Sequence, residues 1–210
     1  VEEGGSLPLV YVTAWQMLTE KAGLKPGKIS QLPILVHAAG SGVSQALLEL
    51  LHSFGAKKVA VTSRTESKLS LWKKRGFAGF VLGDQTHDAL KTWAGKDRIA
   101  VIFDHVGPAL FDMNIRLLRS GGRFVTCGST SGADAKLDLR HLYFRQLQLL
   151  GSTMGSLKHF REAIRWVEKK RIRPHISQVF AFDDFQKAFE LLDRAEQTGK
   201  IVLSSHFKVR

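Results

Sequence analysis

Short apolar runs and helical patterns alternate along the chain. Leu32–His37 is a continuous apolar run of the kind a buried parallel strand shows. Similar runs follow at Lys58–Thr62, Ala78–Leu82, Ile99–Asp104, Gly122–Cys127 and Leu147–Gly151. Between them lie helical patterns. The first covers Leu7–Ala22, ended by Gly23 and Pro26, and the next covers Gly42–Phe54, ended by Gly55. Thr65–Arg75 follows, capped by Thr65 or Ser63 and ended by Gly76; then come His87–Trp93, Pro108–Leu118 and Ser156–Lys170. Strands separated by helices imply right-handed crossovers in one parallel sheet. The expected fold is α/β, a doubly wound six-stranded parallel sheet. The tail reads differently. It offers Phe180, a helix over Asp183–Ala195 with Asp183 as N-cap, and a strand over Lys200–Ser204. No repeat or low-complexity tract interrupts the pattern.

The loop after the first run is Ala39-Gly40-Ser41-Gly42-Val43-Ser44. Glycines there let a backbone approach a pyrophosphate, and the following helix offers unpaired N–H groups and a partial positive charge. Gly40 and Gly42 fit a G-x-G-x-x-G spacing, but Gln45 stands at the third place. The strand–loop–helix context is what makes it a dinucleotide loop of the Rossmann type. A second glycine segment, Gly23-Leu24-Lys25-Pro26-Gly27-Lys28, imitates a P-loop. It is one residue short, carries Ile29 where a Ser or Thr belongs, and precedes the strand.

At the end of the second strand an acid would bind the ribose 2′-OH of NAD, whereas a nearby Arg accommodates the 2′-phosphate of NADP. The chain reads Ser63-Arg64 there, with Lys68 one helical turn on. A hydroxyl, a guanidinium and an ammonium suit a dianionic phosphate. NADP(H) is favoured over NAD(H).

Composition narrows the class. Lys and Arg number 31 against 19 acids, a net charge of +12. The charges are scattered, with clusters only at Lys73-Lys74-Arg75 and Lys169-Lys170-Arg171-Ile172-Arg173. Both lie near helix ends, where cations suit the dipole. These clusters read as solvated faces, with a polyanion site as the alternative. Cys127 is the only cysteine, which excludes a disulfide framework and a Cys-rich zinc site within this chain. No apolar run is long enough to span a bilayer, and the acidic start is no signal peptide. The expected location is intracellular, in the cytoplasm. The opening Val1 fits a processed chain or a piece of a longer one.

Several segments together resemble the medium-chain dehydrogenase/reductase superfamily. Leu9–Trp15 and Gly23–Gly27 look like the entry to its cofactor domain. Ala39–Ser44 is similar to its phosphate loop, which usually closes on Gly-Val-Gly. Asp104–Gly107, Gly121–Gly128, Gly151–Gly155 and Gly199–Leu203 continue the match in order over nearly the whole chain. The likeness is nearest to the zinc-type alcohol dehydrogenase and quinone oxidoreductase-like branch. It implies hydride transfer between NADP(H) and a carbonyl, alcohol, quinone or activated alkene. It also implies roles for residues. Gly40, Ser41, Gly42, Val43 and Ser44 would face the pyrophosphate; Ser63, Arg64 and Lys68 the adenosine phosphate. His105 and Val106 would line the crevice, with Cys127, Gly128 and Ser129 about the nicotinamide and Thr153 and Met154 beyond. Thr13 would approach the nicotinamide and Lys200 the pyrophosphate.

Two departures from that family matter. Ser44 replaces the closing glycine, which implies looser helix–strand packing. Alcohol-oxidising relatives bring a zinc-binding Cys from the segment before Thr13, yet Leu9, Val10 and Tyr11 offer no ligand. No His spacing suits a metal either, so a zinc-free reductase is expected. Relatives also carry a β-rich catalytic domain ahead of this one. Residues 1–173 then form the cofactor domain, and 174–210 a short piece of a mostly absent catalytic domain. Such a chain should bind cofactor and turn over little. Tyr11 and Tyr143, the only tyrosines, lack a motif that would mark a proton donor. Expected partners are a small-molecule substrate and a second copy paired through the sheet edge, with no membrane. The competing reading is a non-catalytic basic module for RNA or single-stranded nucleic acid, which no aromatic platform supports.

Overall fold

The computed structural model describes residues 2–205. The chain opens with α1 (Glu2–Ser6) and α2 (Pro8–Gln16), which runs into a π-helical turn at Met17–Lys21. Then come β1 (Ile34–Val36), α3 (Gly42–Ser53), β2 (Val59–Ser63), a 3₁₀ turn at Glu66–Leu69 leading into α4 (Ser70–Lys74), and β3 (Ala78–Val81). The second half holds α5 (Thr86–Ala94), β4 (Ile99–Asp104), α6 (Pro108–Leu117), β5 (Leu118–Thr126), α7 (Leu139–Phe144), β6 (Gln148–Gly151) and α8 (Leu157–Lys170). The tail is β7 (Ile176–Ala181), α9 (Phe185–Asp193) and β8 (Lys200–Ser204).

Six strands form one sheet in the order β3-β2-β1-β4-β5-β6, every pair parallel. This is the doubly wound Rossmann order, and the direction of winding reverses between β1 and β4. The central strands are buried on both faces: Ile34–Val36, Val59–Ser63 and Ile99–Asp104 contain no exposed residue. Their side chains alternate between two cores. One packs Ile34, Val36, Val61 and Phe103 with Leu47, Phe54 and Trp72. The other packs Leu35, Ala60, Ile102 and Phe124 with Leu90 and Ile115. Full burial of such side chains contributes roughly 1.5–3 kcal/mol each, so the sheet centre dominates stability.

The elements depart from the sequence reading in physically instructive places. The first helix is regular only to Gln16 and then widens into the π turn. β5 begins at Leu118, directly off the end of α6, and a register shift against β4 between Ile99 and Val101 absorbs the difference. α7 and β7 were not expected. β7 pairs in parallel with β8 as a separate two-stranded sheet. The tail helix starts at Phe185 after a 3₁₀ turn, and Asp184, not Asp183, precedes it without a side-chain cap bond.

Candidate active site: the cofactor cleft

The reversal point leaves a crevice at the carboxyl ends of β1 and β4, where open α/β sheets bind ligands. A cleft of ≈500 Å³ opens there. Of the residues singled out in the sequence, Gly40, Ser41, Ser63, Arg64, Lys68, His105 and Val106 line it. Ala38, Leu82, Thr130, Ser131, Ala195 and Gln197 complete the lining and were not foreseen.

The loop is shaped for close approach. Ala38 sits in the left-handed region at φ 57°, and Ser41 N–H closes a turn onto Ala38 O (2.9 Å). Ser41 caps α3 in extended conformation, and the first helical bond is Gln45 N–H to Ser41 O (2.9 Å). The N–H groups of Gly42, Val43 and Ser44 therefore precede the helix ladder and are available at its positive end. Gln45, at the missing third glycine's place, braces the turn by donating its amide to Ala39 O (2.5 Å). A Cβ on Gly40 would lie 2.7 Å from Lys68 Cδ and 3.2 Å from Gln197 O; one on Gly42 would lie 3.0 Å from Lys200 Cδ. The two glycines leave room for basic side chains from distant segments to cross the loop.

Ser44 behaves otherwise than expected. Its side chain is buried and turned away from the cleft. Its Oγ–H donates to His37 O (2.7 Å), while the oxygen accepts from His105 Nε2 (3.2 Å). Packing is therefore not loosened; a hydroxyl stitches the helix to the end of β1. Beneath it His37 is fully buried, with Nε2 donating to Asn114 Oδ1 and Nδ1 meeting Thr62 Oγ1, both at 2.7 Å. Burial holds the His37 and His105 imidazoles below their ordinary pKa, against the pull of Asp104. Both are neutral near pH 7.

Ser63, Arg64 and Lys68 gather at one mouth of the cleft. Lys68 reaches over Gly40 and donates to Ala195 O in the tail, and Gly199 N–H donates to Gly40 O (2.8 Å). The tail thus ties down the loop. Burial, then the Arg64 charge, push the Lys68 ammonium below its ordinary pKa, partly offset by Glu196. Asp104, buried, turns the next loop by accepting from Val106 N–H (3.1 Å) and Gly107 N–H (2.8 Å). Gly107, at φ 88°, could not be replaced there: a Cβ would lie 2.5 Å from Ser129 Oγ.

The remaining expected residues lie outside this cleft. Cys127, Gly128 and Ser129 follow β5. Gly128 packs where its Cβ would meet His105 Cβ at 3.2 Å, and Ser129 Oγ donates to Gly132 O. Burial, then Asp104, push the Cys127 thiol up to about 11, so it is no thiolate nucleophile. Val43 packs against the core. Thr13 Oγ1 donates to Leu9 O (2.8 Å) in its own helix. Thr153 and Met154 are exposed; with the Gln16 amide turned over, its nitrogen donates to their carbonyls at 3.2 and 3.1 Å. Lys200 lies against Gly42. Tyr11 is buried and its phenol is raised above the ordinary value, first by burial and then by Glu49.

A nicotinamide dinucleotide fits this cradle: open N–H groups, two glycines and clustered cations. Among the described residues no three His, Cys, Asp or Glu side chains converge as ligands for a zinc. No helix among them is long and apolar enough to cross a membrane.

Residues 42–169 match the family model described as "Zinc-binding dehydrogenase". The chain belongs to this family. It corresponds to the cofactor-binding portion of medium-chain dehydrogenases/reductases. Quinone oxidoreductase-like protein 2 of Mus musculus is 26% identical over 97% of this chain and 60% of its own length. A solved NAD-dependent alcohol dehydrogenase is 33% identical, with a TM-score of 0.87 over 97% of this chain and 58% of its own. The 2-octenoyl-CoA carboxylase reductase CinF, solved with NADP and 2-octenoyl-CoA, shares the fold at 23% identity and a TM-score of 0.84, covering 96% of this chain and 49% of its own. The chain thus spans about half to three-fifths of the length of these three relatives.

Proposed function

We propose that this family member is the cofactor-binding portion of an NADP(H)-dependent oxidoreductase acting on a carbonyl, alcohol, quinone or activated alkene. The carrying observation is the mouth formed by Ser63, Arg64 and Lys68. No acid occupies the end of β2, and burial and the Arg64 guanidinium weigh against the Lys68 charge, with Glu196 offsetting only part of this. A 2′-phosphate would relieve that like-charge crowding. The alcohol dehydrogenase described as NAD-dependent is the counterweight; CinF, solved with NADP, is the parallel.

When bound, NADPH supplies a hydride from its nicotinamide ring. The chain's own residues bind and orient. The N–H groups at the start of α3 and Lys200 hold the pyrophosphate. Arg64 and Lys68 hold the adenosine phosphate, while His105 and Val106 wall the crevice. Cys127, Gly128, Ser129, Thr13, Thr153 and Met154 stand toward the nicotinamide end. Residues 1–173 form this domain and 174–210 belong to a catalytic half. Phe182, Phe185, Phe189 and Leu192 of the tail are exposed and offer that half an apolar face. The β6 edge pairs with a second copy, since its outer backbone groups are unpaired among the described residues; light scattering would test this.

Fluorescence titration with NADPH and NADH tests the reading. NADPH is expected to bind at least about tenfold more tightly, and Arg64→Ala to remove most of that preference. Equal affinities would overturn NADP(H) selectivity, and absence of both would overturn cofactor binding.

A further inference from the structure

A second cavity lies at the opposite end of the sheet. It encloses ≈250 Å³ between α5, α6, α7 and the loop entering β4. That is below the usual range for organic ligands and suits a small anion with its water. Its charged lining is entirely basic: His87 and Lys91 four apart on α5, His141 and Arg145 four apart across α7 and its end, Arg116 on α6, and Arg98 just before β4. The (i, i+4) spacing puts each pair on one face, so two faces and two single cations converge.

Carboxylates answer only part of this charge. Asp112 pairs with Arg116 (2.8 Å) and Asp88 with His87 (3.0 Å). Among the described residues Lys91, Arg98 and Arg145 have no ion pair. Burial and then the Arg98 charge push the Arg145 guanidinium below its ordinary value. Helix capping accounts for some of the cluster. Arg98 donates to Arg116 O (2.8 Å), and Arg145 to Ile115 O (3.0 Å) and Leu118 O. These bonds neutralise the carbonyl end of α6. A guanidinium carries five donors, so both retain donors for a ligand. Capping also leaves unexplained why Lys91, His87 and His141 converge on the same cavity.

We propose that this pocket is a second anion site, separate from the cofactor cleft, that takes a phosphate or diphosphate group. Arg98, Arg116 and Arg145 offer planar donor forks to the oxygens, and Lys91 adds a point charge.

The test titrates the full chain with inorganic diphosphate and follows backbone amides by NMR. Binding at the phosphate loop is thereby read separately. Saturable shifts are expected at Ala94, Arg98 and Leu117, which line the cavity. Lys91→Ala combined with Arg116→Gln, which spares both capping arginines, should weaken them at least about tenfold. ADP binding more tightly than diphosphate would identify a nucleotide as the source, and equal binding the free anion. Shifts confined to Gly42–Ser44 would overturn the site. So would an equal loss from neutralising Lys170 and Arg173, which would indicate a diffuse field. RNA binding that ignores the pocket variants and falls steeply with salt would also overturn it.

Discussion

In the half of the cleft over β2 and β3, all of Val59–Ser63 is buried, Trp72 is sealed beneath and Lys68 is tied to the tail. Beyond that cleft, past β5 and β6, the surface is open: Met154 is 61% exposed and Leu157 62%. The first half is finished by this chain's own residues. The second presents backbone and apolar side chains to solvent. On the proposed function, binding resides in the first region and chemistry toward the second, so substitutions in the two should report different things.

The largest contrast is in stability. Trp72 is fully buried and stacks on Phe77 with ring centroids 5.8 Å apart. Trp72→Ala is expected to cost about 3–5 kcal/mol by denaturant unfolding. Met154→Ala, on the open side, should stay within about 0.5 kcal/mol. A comparable loss at both positions would erase the distinction.

Acid should act at the sheet centre, where β1 and β4 end. His37 and His105 titrate below the ordinary imidazole value because they are buried. As pH falls the unfolded chain takes up protons first. Stability is therefore full above about pH 6.5 and declines below it, by at most ~1.4 kcal/mol per pH unit for each group. Urea midpoints at about pH 7.5 and pH 5.5 would show the decline, and His105→Gln should make it shallower. A flat profile would mean that neither ring is held neutral.

Cofactor affinity separates the halves next. Lys68→Ala should weaken NADPH about tenfold, with a smaller effect on NADH, because a phosphate contact to an ammonium is charge-assisted. Thr153→Ala, at the open end, should change NADPH affinity less than about threefold. Titrating both variants would show whether affinity resides at the adenosine end.

What the sequence conveyed follows the same division. The central strands β1, β2 and β4 were legible because buried parallel strands are runs dominated by apolar residues, and β3, β5 and β6 because they alternate with helices. β7 was not, since Ile176–Ala181 carries Ser177 and Gln178 and lies in a small half-exposed sheet. That Gly40, Ser63, Arg64 and Lys68 come together in one cleft was legible from their local spacing about the ends of β1 and β2. Ala195 and Gln197 were not: Ala195 meets Lys68 across 127 residues and Gln197 lies against Gly40, each through a backbone carbonyl that any residue could supply. The His37–Asn114 bond, 77 residues apart, left no local signal either.

Ser44 gives the finest test, because sequence and structure assign it different consequences. As a substitute for the family's closing glycine it should loosen helix–strand packing at the loop. In the fold its hydroxyl is directed inward to His37 O and His105 Nε2, and only its N–H remains at the helix start. Ser44→Gly would restore the usual fingerprint while deleting those bonds and adding backbone freedom within a helix. The expected loss of stability is about 1–2 kcal/mol. NADPH affinity should shift less than about threefold, since no side-chain atom leaves the cleft. If the glycine variant instead binds NADPH about tenfold more tightly, Ser44 restrains the loop from meeting the pyrophosphate. The stitch to His37 would then stabilise the fold at the expense of cofactor binding.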